Sequence, residues 1–256
     1  MDRTDESHLN RGWAILQLGF YYFLADMRKR RLGIFALMLE PIGTFIIYYF
    51  LLYILMDARS EQTLWHFLSG IFIMTAMRAV SNEVAEARSK GIGITSVSSI
   101  PLLDIISIRT IVGVLNGCIL LAVLCVILAI FGRLDLNFML PVHAIYLWIL
   151  GFSLGLVFLS LKAFFSDIDI LIGMFFRVVF LTSGILFSAD TISPGILKFV
   201  IHNPFLIVFA EMRGSITGDP GFSGYNEYLP LALAAVALVA GVSMFNAFRV
   251  RLRNTR

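Results

Sequence analysis

Residues Ile105–Phe131 read IISIRTIVGVLNGCILLAVLCVILAIF. Beyond Arg109 the run carries no charge, and it is longer than the about 20 mostly apolar residues that a bilayer-spanning helix needs. Five more stretches share its character: Leu32–Met56, Leu64–Ala79, Val142–Phe165, Ile170–Phe187 and Leu229–Phe248, of which Leu64–Ala79 and Ile170–Phe187, the second and fifth of the six spans, are the shortest. The composition agrees. Of 256 residues, 59% are hydrophobic and only 14% charged, with a mean hydropathy of +0.87, whereas soluble domains run at about 45–50% and 25%. Twenty-three Phe and ten Met add to the excess. This excludes a soluble enzyme, and it excludes disorder, which needs low hydrophobicity and high charge. The expected fold is therefore an all-α integral membrane protein with six transmembrane helices.

Before the first span, Trp13, Leu16, Phe20, Phe23 and Met27 recur at helical spacing and lead into the basic run Arg28, Lys29, Arg30, Arg31. Trp13–Met27 reads as an amphipathic helix lying in the membrane interface. Acidic Asp2, Asp5 and Glu6 precede it, which argues against a secretory signal. Orientation follows from the bias of Lys and Arg toward the cytoplasm. Arg3, Arg11, the run 28–31, Arg78, Arg88, Lys90, Arg109, Lys162, Arg249, Arg251, Arg253 and Arg256 fall on one side of the six spans. Arg59, Arg133, Lys198 and Arg213 fall on the other, and Arg177 lies within the fifth span. Both termini are thus expected in the cytoplasm, residues 1–31 and 249–256 flanking a membrane domain at 32–248. The net charge of +3 is a topology signal, and no nucleic-acid partner is expected.

The connections differ in character. Val80–Asp104 is long, with a polar helical stretch Ser81–Lys90 and then a Gly- and Ser-rich strip. Ser188–Tyr228 is longest and holds two apolar pieces, Ile196–Ile201 and Phe205–Phe209, which read as re-entrant or interfacial helices because they are too short to span. Catalytic and cofactor motifs fail in turn. None of Lys29, Lys90, Lys162 and Lys198 follows a glycine, so there is no phosphate-binding Gly-Lys-Ser/Thr. Gly91-Ile92-Gly93 lacks a third glycine, and His8, His66, His143 and His202 are scattered without metal-ligand spacing. Cys118 and Cys125, seven residues apart on one helix, lie beyond disulfide reach of each other. No catalytic, cofactor or metal site is expected.

Charge inside a membrane span is costly and by default functional. Glu40 in the first span and Arg177 in the fifth each lie seven residues from a cytoplasmic helix start, at similar depth. Either they pair across a helix interface, or each snorkels or bonds backbone freed by Pro41. Tyr48, Tyr49 and Tyr53 cluster toward the outer end of the first span. They form an interfacial aromatic belt or, as a second reading, faces on which a passing glycan stacks.

Several local patterns then fall in a particular order. Arg31-Leu32-Gly33 is followed by Leu39-Glu40-Pro41; Asp104 and Arg109 stand five apart; Phe165–Pro194 runs without a gap and includes Asp167 and Arg177; Asn203-Pro204 precedes Arg213 by ten. In order and spacing these resemble the capsular polysaccharide export permeases of the ABC-2 transporter family. The likeness covers nearly the whole chain. It departs at Ala36, where a tryptophan is usual, at Ser188, where proline is frequent, and by one residue in the placing of Pro101 and Glu211. The resemblance implies the ABC-2, or type V exporter, fold: an interfacial amphipathic helix, six spans, a cytoplasmic coupling helix and re-entrant helices before the last span. It implies a homodimer in the bacterial inner membrane that docks two copies of a separate ATPase, which binds the ATP and Mg absent from this chain. Ser81–Lys90 would be the coupling helix, with Glu83, Glu86 and Arg88 facing the ATPase. The cargo would be a lipid-linked polysaccharide handed to periplasmic and outer-membrane export proteins. Arg28, Lys29, Arg30 and Arg31 would attract its phosphate head group, or serve only to anchor the topology. O-antigen, teichoic acid or a drug-like lipid are alternative cargoes of the same fold. A standalone channel or secondary transporter is a different class, which repeats and midplane carboxylates would favour.

Overall fold

The computed structural model describes residues 3–29, 33, 35–50, 61–90, 101–162, 164–165, 167–189, 192–226 and 228–254, with side chains from 11 to 247 and, in the third helix, from residue 64. Among the described residues the long elements are all helical: α1 Arg3–Lys29, α2 Phe35–Phe50, α3 Glu61–Ala85, α4 Leu102–Ile130, α5 Leu140–Lys162, α6 Ile168–Thr182, α7 Pro194–Val200, α8 Pro204–Thr217 and α9 Leu229–Asn254. Extended pairing is limited there to one isolated bridge, Asp135 to Thr217.

Four of these helices are long and apolar enough to cross a membrane: Leu64–Ala85, Leu102–Ile130, Leu140–Lys162 and Leu229–Ala247. Taken as one unit, α7 and α8 would make a fifth, but they are bent by 94° at the break between them. The two short apolar pieces expected in the Ser188–Tyr228 connection are therefore real helices. Pro204 and Asn203 explain the bend: proline suits the first turn of a new helix, and the Asn203 side chain accepts from the Phe205 N–H at 3.0 Å. Asn203 Nδ2 also donates to the Thr182 carbonyl at 2.9 Å, fastening the start of α8 to the end of α6.

The first and fifth expected spans appear as shorter helices. α2 has 16 residues and α6 has 15, about 24 and 22 Å of axial rise. Residues 51–56 of the first expected span lie outside the described residues. The fifth ends early because the chain turns at Ser183 and Gly184, where φ is +65° and a side chain would meet Phe222 and Leu206. The second expected span needs the opposite correction. α3 does not stop at Ala79 but continues to Ala85, so the first half of the expected polar helix Ser81–Lys90 is its last turn. Only a short helical turn, 87–90, follows.

α3 is the centre of the bundle, clasped by α4 and α5. Both partners reach it through glycines four residues apart, Gly113 and Gly117 on α4 and Gly151 and Gly155 on α5. This spacing puts the two glycines on one helix face, where small residues let backbones approach. A Cβ at Gly113 would lie 2.7 Å from the Val80 Cα, and one at Gly151 would lie 2.7 Å from the Met77 carbonyl oxygen. α9 packs outside α5, and α1 lies along α4. By contrast α2 and α6 touch the rest sparingly and leave large apolar surfaces exposed, among them Phe35, Ile46, Ile47, Ile170, Met174 and Val178. A hydrophobic outer surface of this extent suits lipid or a second protein, not water.

Gly113→Val or Gly151→Val should force α3 away from its neighbours and cost about 1–3 kcal/mol, the range for overpacking a tight core. Gly12→Ala and Gly173→Ala, at positions where an added Cβ meets nothing within 4 Å, should be near neutral. Thermal unfolding of the detergent-solubilised variants checks the contrast.

Candidate functional site

Where α2 and α6 lean on α3 without closing against it, they leave a cavity of about 430 Å³. Glu40, Thr44 and Tyr48 line it from α2, Thr75 and Arg78 from α3, and Gly173, Phe176, Arg177 and Phe180 from α6. Glu40, Arg177 and Tyr48, singled out separately in the sequence, thus share one wall-to-wall space. The expected Glu40–Arg177 ion pair needs correction. Glu40 accepts from Arg78 at 2.6 Å, because α2 packs chiefly against α3. The Arg78 guanidinium also lies 5.3 Å from the Phe176 ring centre, a cation–π arrangement that aims it into the cavity. Arg177 stands on the α6 wall with an exposed side chain.

The missed residue is Arg78. Its position at the end of an apolar run made it look like part of the following connection. The signal was the polar sequence beyond it: Ser81, Asn82 and Glu83 can continue a helix, so a cation before them need not mark the helix end.

Aromatic rings close one end of the cavity. Tyr48 packs on Phe67 and Phe180 with centroids 5.8 and 5.0 Å apart, and Phe45 stacks on Tyr49 and Phe67. Tyr48 is half-buried in this cluster and Tyr49 is exposed beside it. Tyr53 lies outside the described residues, as do Arg30 and Arg31. Arg28 and Lys29 form the exposed last turn of α1.

A second polar centre sits where α1, α3 and α4 meet. Arg109 is 4% exposed and donates to Asp26 of α1 at 2.9 Å. Its other neighbours are Glu83 of α3 at 3.5 Å and the Tyr22 ring at 5.5 Å. Glu83 in turn accepts from Lys90 at 2.6 Å. Nearby, Arg11 of α1 grips Asp104 of α4 through both carboxylate oxygens, at 2.7 and 2.9 Å. The expectation that Glu83 faces outward with Glu86 and Arg88 is thus corrected: Glu83 is 6% exposed and turned inward. A carboxylate this buried needs cations beside it, and Lys90 and Arg109 supply them. Glu86, paired with Lys90 at 3.1 Å, and Arg88 remain partly exposed.

At the opposite end of α3 lies a third polar centre. Arg213 of α8, 2% exposed, donates to Ser69 Oγ and the Pro220 carbonyl, both at 3.1 Å. His66 Nε2 lies 2.7 Å from the Gly184 carbonyl oxygen. Together they tie α8 and the two loops at 183–187 and 219–222 to α3. His66 is thus a packed histidine at a loop junction.

No protein-family model and no curated protein matches the chain.

Removing Arg109 takes the cation from Asp26 and leaves Glu83 with Lys90 alone, so Arg109→Met should cost about 3–5 kcal/mol. Adding Glu83→Gln and Asp26→Asn to that variant should recover part of the loss. Denaturant or thermal unfolding of the single and triple variants measures the difference.

Proposed function

We propose that this chain is the permease subunit of an ATP-driven exporter of the ABC-2 type, moving a lipid-linked, capsular-type polysaccharide across the bacterial inner membrane. In this reading two copies form a homodimer, two separate ATPase subunits dock from the cytoplasm, both chain termini are cytoplasmic, and α2 and α6 belong to the first and fifth of six spans. The observation that carries it is the cavity between α2, α3 and α6. Glu40, with a side chain 55% exposed, and Arg177 stand on helices whose neighbouring surface is lipid-like. Charges at such positions facing hydrocarbon would be expensive, and in membrane proteins they face a bundle interior or a water-filled space. A second copy covering this face turns an open cleft into a polar-lined path. A sugar polymer requires one, because each hydroxyl taken unpaired into an apolar phase costs several kcal/mol.

The architecture also suits a moving part. α3, α4 and α5 are locked by glycine-mediated contacts, while α2 and α6 are held loosely and can swing against them. Glu86 and Arg88 lie next to the ion network of Glu83, Lys90, Arg109 and Asp26. A push from an ATPase on the 86–90 segment would therefore reach α3, α4 and α1 together. A lipid-linked end would enter sideways, near the exposed apolar side chains of α1, Trp13, Leu16 and Phe20. The same geometry would serve O-antigen, teichoic acid or lipid cargo. It serves a cation-coupled carrier less well, because the Glu40 carboxylate in the cavity is already neutralised by Arg78.

Deleting the gene and locating the polysaccharide by microscopy and fractionation tests this reading. Polymer trapped in the cytoplasm under a bare surface is expected, and a normal surface glycan overturns the capsule assignment. Arg88→Glu with Glu86→Lys should weaken co-purification of the ATPase and lower export, while leaving the permease folded in the membrane.

A further inference from the structure

We propose that the cavity between α2, α3 and α6 is a binding site for one oxyanion, a phosphate or carboxylate borne by an amphiphilic ligand, and that Glu40 occupies Arg78 in its place when the site is empty. The first ground is charge. Two guanidinium groups, Arg78 and Arg177, line the space against one carboxylate among the described residues, so these walls carry a net positive charge. An uncompensated charge there calls for a partner. The second ground is hydrogen bonding. Arg78 gives one guanidinium nitrogen to Glu40, while its buried Nε has no hydrogen-bond partner among the described residues. A buried donor left unmade is costly, and arginine's fork matches phosphate and carboxylate in two-pronged fashion. The third ground is shape and lining. At about 430 Å³ the cavity falls within the about 300–1,000 Å³ of small-molecule sites. Thr44, Thr75 and Tyr48 add hydroxyls to its wall, and Ile71, Met74 and Phe176 add apolar surface for an acyl or isoprenoid stem.

Glu40 then acts as an internal competitor. While it holds Arg78 the site is close to neutral at that wall; an incoming oxyanion displaces it and takes the arginine. The displaced carboxylate sits on α2, a loosely held helix, so anion binding and α2 movement are linked. That the oxyanion belongs to an exported lipid-linked glycan rests on the function proposed above; the presence of an oxyanion site does not.

The test uses the purified full chain in neutral detergent, titrated with short-chain phosphatidylglycerol, a diacylglycerol of the same chain length or inorganic phosphate, and read by thermal shift and native mass spectrometry. Saturable phosphatidylglycerol binding is expected, with the diacylglycerol at least about tenfold weaker, the scale of one lost charge-assisted contact. Arg177→Gln, an exposed position, should weaken phosphatidylglycerol binding about tenfold, and Glu40→Gln should tighten it severalfold by freeing Arg78. Inorganic phosphate competing in the same range assigns recognition to the oxyanion alone; phosphate failing to compete, with the variant effects intact, assigns it to a lipid-borne oxyanion. Equal binding of both lipids, absence of saturable binding, or an Arg177→Gln affinity unchanged from the parent overturns the site. Normal surface glycan in the deletion strain, alongside intact phosphatidylglycerol binding, overturns the exporter reading and leaves the site standing.

Discussion

Everything in the bundle is referred to α3, and α3 is positioned by how closely its neighbours can approach. In a membrane there is little hydrophobic drive for one helix to prefer another over lipid, so association depends on contact and hydrogen bonding. Gly113 and Gly117 of α4 and Gly151 and Gly155 of α5 remove side chains where the backbones of α3, α4 and α5 meet. Gly241 does the same for α9 against α5. The outcome is a rigid group of four long helices, with polar centres at both ends of α3 and loosely attached helices along its open side.

The polar centres have different work to do. At the Arg109 end, opposite charges from three separate elements neutralise one another, and no pair of elements could satisfy the set alone. Arg109 lies between Asp26 and Glu83, and Lys90 completes the Glu83 carboxylate. Such networks give little stability compared with an apolar core of the same shape, but they are intolerant of the loss of one member. That makes the register of α1 against α3 and α4 specific. At the Arg213 end the hydrogen-bond partners are a hydroxyl and a carbonyl, with the Asp219 carboxylate offsetting the charge from nearby, so that centre braces loops.

The cavity contrasts with both. Glu40 and Arg78 meet there in good geometry, yet the walls retain a second arginine, Arg177. Looseness of α2 and α6 belongs to the same picture, since a site that must admit a bulky ligand cannot be clasped by glycine contacts on every side.

Much was readable from residue order. Apolar run length dictates membrane helices, because no water is available to satisfy an exposed backbone. The charge-free stretch after Arg109 leaves no other reading, and the two short helices after Ser188 follow from proline and run length. Glu40 and Arg177 stand out because charge at that depth is expensive. The Gly-x-x-x-Gly pairs at 113–117 and 151–155 are equally legible in residue order. What residue order did not decide was partnership. The charge opposite Glu40 is Arg78 and not Arg177, Glu83 faces inward, and α3 runs on past Ala79. Each depends on which helix faces lie against each other, and that is a property of packing across distant segments: helical spacing specifies a residue's face, but only the assembled bundle specifies what that face meets.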